Sequence, residues 1–144
     1  MDRPSSIVRL LGIGLLAVLA PGCAGTSSGA SAPASPGDQV AAGESLYEKR
    51  CTSCHTADGT APKVMGADAL PKDPPASAKM RSVPFRTVGD LLSWVQKKMP
   101  PGDAESLTPA EHAAVVAYLL SQSGVDLGGK VLDQQNATSI VMRP

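Results

Sequence analysis

The sequence predicts an all-α domain, and three observations carry that expectation. Three segments place apolar side chains at helical spacing. Two of them open on capping residues, and proline or glycine stops them. No alternating strand pattern of useful length occurs, and no internal repeat. At 144 residues the chain holds one domain at most.

Residues 1–22 read as a signal peptide. Arg3 and Arg9 stand against one acid, Asp2, and an apolar run from Leu10 to Ala20 ends in small residues. The run is too short for a comfortable permanent membrane anchor. Cys23 follows where such a peptide is cut. Leu19-Ala20-Pro21-Gly22-Cys23 resembles a bacterial lipoprotein signal, which implies a lipid on Cys23, although Ala20 and Pro21 depart from the usual pattern.

From Ala24 to Gly37 only Ala, Gly, Ser, Thr and Pro occur. Without charge or large apolar groups that stretch cannot bury enough surface to fold. Residues 23–37 are therefore expected to be a flexible tether, with a span on the order of 20 Å. The domain then occupies residues 38–144, with its core at about 38–125. The tail, 126–144, is too weakly patterned to place.

The first helix is expected from about Gln39 to Cys54, with Val40, Gly43, Leu46 and Tyr47 at helical spacing. The second runs from Thr87 to about Met99. Thr87 and Asp90 make a capping box, and Val88, Leu91, Leu92 and Val95 share a face. Lys97 and Lys98 sit well against the helix dipole, and Pro100-Pro101 end the helix. The third opens on Thr108-Pro109-Ala110-Glu111 and runs through Val115, Val116, Tyr118, Leu119 and Leu120 to about Gly124. Between the first two, residues 56–86 carry Pro62, Pro71, Pro74, Pro75 and Pro84. A loop of that length is usually functional or wrapped around something.

Charge excludes one class of partner. The chain carries 13 basic and 13 acidic residues, with no basic excess for nucleic acid. Large side chains are scarce: Tyr47, Phe85, Trp94 and Tyr118 are the only aromatics. A small domain so poor in bulk is short of core, and a bound macrocycle would supply it.

The chemistry lies in Cys51-Thr52-Ser53-Cys54-His55, the C-x-x-C-H haem-attachment signature. Two thiols three residues apart on a helical turn can both add to the vinyl groups of one porphyrin, and the adjacent His55 offers its imidazole to the iron. The rival is a thioredoxin-like redox pair, which favours a βαβ context; no strand is expected before Cys51. Electron transfer requires a second axial ligand. Met65, Met80, Met99, Met142 and His112 are the candidates. Met99 is the choice, just beyond a helix and stiffened by the prolines after it. His112, in the first turns of the third helix, is expected to be a solvated or dipole-neutral residue.

With these motifs in place, residues 38–125 resemble the class I monohaem cytochromes c. The carriers are C-T-S-C-H, the Met99-Pro100 turn and Val115-Val116-Ala117-Tyr118-Leu119-Leu120. The resemblance implies class I cytochrome c-like helices wrapped around one covalently attached haem c. It implies that Gly43 and Tyr47 on the first helix cross Val115 and Tyr118 on the last. It also implies a proline carbonyl bonded to the haem histidine, for which Pro62 is the nearest fit, and Trp94 as a donor to a haem propionate or a packing residue on the haem edge. The Met-Pro-Pro-Gly turn with the Leu-Thr-Pro-Ala-Glu start looks like cytochromes serving quinoprotein dehydrogenases, and something like cytochrome subunits of sulfur-oxidising complexes.

The expected function is single-electron transfer in the periplasm through a His55/Met99-ligated haem, without substrate catalysis. The partners would be a periplasmic dehydrogenase and a terminal oxidase or other cytochrome, with membrane attachment through Cys23. Two alternatives stay open. One is a haem subunit of a multi-component oxidising enzyme such as a sulfur-oxidising complex. The other is an open-site haem sensor or peroxidase, should Met99 not be bound.

Overall fold

The structure is a computed structural model and describes residues 33–142. The signal peptide and Cys23 lie outside the described residues. Among those described there are three α-helices, α1 (Pro36–Arg50), α2 (Val88–Lys98) and α3 (Pro109–Gln122), two short 3₁₀ turns and no strand.

Helix α1 starts earlier than the expected Gln39. Ser35 is its N-cap and accepts from the Asp38 N–H, and Pro36 fills the first helical position. Pro36 and Gly37, read from composition as the end of a tether, are thus helical. The helix also ends earlier, at Arg50. Thr52 turns its hydroxyl onto the Glu48 carbonyl, and the Cys51 and Thr52 amides both use Tyr47 O. A side chain that bonds nearby backbone in this way competes with helix continuation.

Helices α1 and α3 pack at backbone contact. A Cβ on Gly43 would lie 2.0 Å from the Ala114 carbonyl oxygen, so only glycine permits the approach. One turn on, Tyr47 and Tyr118 meet at 5.6 Å between ring centroids. Both α2 and α3 open on complete capping boxes, Thr87 with Asp90 and Thr108 with Glu111.

Two apolar clusters result. The larger joins Phe85, Val88, Leu91, Leu92 and Val95 to Val116, Ala117 and Leu120. The smaller consists of Tyr47, Val115, Tyr118 and Leu119. Val40 and Leu70 touch both.

The tail, unplaced from sequence, is a strap. The buried Gln39 side chain pairs with the backbone of Leu132, donating to its carbonyl (2.8 Å) and accepting from its N–H (2.7 Å). Farther along, Val88 N–H donates to Ile140 O (2.8 Å) and Met142 N–H to Arg86 O (2.9 Å). Leu132, Ala137 and Met142 are buried in the larger cluster.

Candidate haem site

The Cys51–His55 segment follows α1 as two tight turns. Cys54 N–H and His55 N–H both donate to Cys51 O, at 3.1 and 2.9 Å, and the Tyr47 hydroxyl donates to His55 O at 2.8 Å. The loop then doubles back: Ala61 N–H donates to Cys54 O, and a Cβ on Gly59 would lie 2.0 Å from that same oxygen. This reversal brings the Pro62 carbonyl 2.8 Å from His55 Nδ1. A proton on Nδ1 donates to that carbonyl and leaves the lone pair on Nε2, the tautomer a metal requires.

Cys51 and Cys54 are both free and half-buried. Burial pushes the Cys51 thiol up; Arg50 opposes the shift and Cys54 adds to it. A redox-active C-x-x-C pair works through a depressed thiol. The environment of Cys51 runs the other way.

The methionines separate clearly. Met142 is 4% exposed in the larger cluster, held by the strap, and Met80 is 52% exposed on the loop. Neither is placed as an internal ligand. Met65 and Met99 are both half-buried, Met65 against the smaller cluster with Cys51, and Met99 against the larger. Met99 is the C-cap of α2, its N–H donating to Val95 O at 2.9 Å.

His112 departs from expectation. It is 3% exposed, with Nε2 2.9 Å from Met99 O and Nδ1 3.1 Å from Thr108 O. Both ring nitrogens face carbonyls, so neither is turned out as a ligand. Its place on α3, one turn after a proline start, hid this burial from the sequence.

Arg50, the residue before Cys51, reaches Asp103 (3.4 Å) and the Ser106 hydroxyl, both on the segment after Met99. The attachment motif and the methionine segment are thereby tied together. Trp94 is half-buried, edge-on to Phe85 at 6.0 Å, and its indole N–H has no hydrogen bond among the described residues. Arg81 lies over the Phe85 ring, its guanidinium 4.1 Å from the centroid, and donates to Pro71 O and Asp73 O. That bracket orders the proline-rich loop.

Two free thiols, a histidine with its second nitrogen available, and half-buried Val64, Met65, Leu70, Trp94 and Met99 along the margins of the clusters fit a covalently held macrocycle. The model of the family described as cytochrome c oxidase, cbb3-type, subunit III matches residues 38–119. The chain belongs to that family. It is a monohaem cytochrome c domain of the all-α class I type, and its cofactor is haem c. Among solved structures, the sulfane dehydrogenase SoxCD from Paracoccus pantotrophus contains a similar chain. It is 30% identical with a TM-score of 0.52, over 72% of this cytochrome and 52% of that chain. The cytochrome thus spans about half the length of that relative. No curated protein matches it.

Proposed function

We propose that this cytochrome is a periplasmic single-electron carrier, with Cys51 and Cys54 as the thioether attachments and His55 and Met99 as the axial ligands. The observation that supports it most is the Pro62 carbonyl on His55 Nδ1, which fixes both the ring and the tautomer beside two free thiols. Haem bound there supplies a one-electron couple, and a thioether partner raises its potential. The protein's own part is to hold the ligands still and the surroundings apolar. Trp94 offers its indole N–H to a haem propionate.

The partners in this reading are a dehydrogenase donor and an oxidase or cytochrome acceptor. Cys23, after cleavage at residue 22, carries the lipid that anchors the domain. Among the described residues no helix is long and apolar enough to cross a membrane. A Cys23→Ser variant would then move from the membrane fraction to the soluble periplasm; an unchanged distribution would end the anchor reading.

The likeness to the SoxCD chain supports a second reading, in which the domain is the electron-accepting subunit of a sulfur-oxidising enzyme. Co-purification of a catalytic subunit would favour it over a free carrier.

The ligand set is tested by Met99→Ala. Haem should stay attached, the potential should fall by a sizeable part of the ~0.8 V over which axial ligands move haems, and the ferrous protein should bind carbon monoxide. Met65→Ala and Met80→Ala should leave the potential nearly unchanged. A drop produced by Met65→Ala instead would move the ligand there.

A further inference from the structure

We propose that His112 is the positioning residue for the sixth ligand, an inference that rests on the reading of Met99 as that ligand. The Met99 backbone is held from two helices. Its N–H is fixed to Val95 O within α2, at 2.9 Å, and its carbonyl accepts from His112 Nε2 on α3, also at 2.9 Å. With both backbone groups engaged, the Cα–Cβ direction is set. Only the side-chain torsions then remain to place the sulfur.

The imidazole is itself immobilised. It is 3% exposed, and with its one proton on Nε2 the ring donates to Met99 O while Nδ1 keeps its lone pair, so burial and that single bond hold it in place. The α3 capping box sets the height of that ring: Thr108 accepts from the Glu111 N–H, and His112 is the next residue. Arg50 grips the same segment at Asp103 and Ser106, beyond Met99. His112 is the side chain that acts on Met99 itself. Without it, the Met99 carbonyl loses its partner, the end of α2 gains freedom, and the thioether competes less well for the iron.

The test uses the full-length, haem-loaded ferric protein, titrated with imidazole while the red thioether-to-iron band is followed. His112→Leu, and His112→Asn whose amide is too short to reach Met99 O, should bind imidazole about five- to tenfold more tightly, the scale of one lost hydrogen bond. His112→Gln retains a donor of sufficient reach and should return affinity close to wild type. Haem content and the far-ultraviolet unfolding midpoint are read in parallel. Should His112→Leu fail to accumulate, the Asn and Gln pair carries the comparison. The inference is overturned by wild-type affinity in the Asn variant, by Gln behaving as Asn does, or by affinity changes that only follow the global midpoint. If the wild-type band is missing or survives Met99→Ala, the ligand reading falls and takes this inference with it. A Met99-dependent band indifferent to His112 overturns this inference alone.

Discussion

The Tyr47 hydroxyl donates to the carbonyl of His55 at 2.8 Å, so a residue in the heart of the α1–α3 contact holds the far end of the attachment motif. Tyr47→Phe keeps the ring and its contact with Tyr118 and removes only this bond. The expected loss is about 1 kcal/mol of stability in denaturant titration, with haem still attached. Burial raises the Tyr47 phenol above its ordinary range. Its contribution is therefore complete below about pH 10, the unfolded value, and is lost as pH climbs through the raised folded one. The alkaline limb of the stability profile should be flatter in the Phe variant.

Gly43→Ala should be severe although it adds one methyl group. That group would lie 2.0 Å from Ala114 O and 3.0 Å from the Tyr118 Cβ. Helix backbone must move to admit it, at a cost of about 3 kcal/mol or more. Thermal unfolding of the purified variant measures this; a change below 1 kcal/mol would contradict the close approach.

Gln39→Leu tests the strap. The replacement leaves the buried Leu132 N–H and carbonyl without their partners, which should cost about 2–4 kcal/mol. Limited proteolysis should then cut between residues 124 and 136 at protease levels the wild type resists. Equal resistance would mean that the strap is held elsewhere.

At the acid end, the two capping boxes should dominate. Asp90 is held below its usual carboxylate range chiefly by the Thr87 N–H, and Glu111 likewise by that of Thr108. Such groups stabilise above their unfolded values, about pH 4, and that contribution is lost as pH falls through the lower folded ones. Asp90→Asn with Glu111→Gln should reduce stability at neutral pH and weaken its dependence on pH below about pH 4. An unchanged acid slope would assign that slope to other carboxylates.

Helices α2 and α3 were legible because local signals state their ends: Thr87 and Thr108 with their acids, the Pro100-Pro101 stop, and lysines in the last turn of α2. The attachment motif is local for the same reason. What escaped was long-range or polar. Gln39 looks like a solvent-facing residue until Leu132, 93 positions away, provides its two backbone partners. His112 looks solvated until Met99 O is seen above it. Composition placed Pro36 and Gly37 in the tether because it carries no information on Ser35 as a cap. The strap shows no helical or strand period because its buried residues, Leu132, Ala137 and Met142, are irregularly spaced and its backbone bonds go to distant Val88 and Arg86.

The span of the Gln39–Leu132 pairing also sets an order of events. A contact between positions so far apart closes late, since the loop between them must be gathered first. A chain synthesised from its N-terminus presents Cys51, Cys54 and His55 well before Leu132 arrives. During that interval neither the strap nor the core it completes is in place. Haem attachment and completion of the core are thus separated in time by the distance between two residues, and a chain truncated before Leu132 should still acquire its haem while its larger cluster stays unfinished.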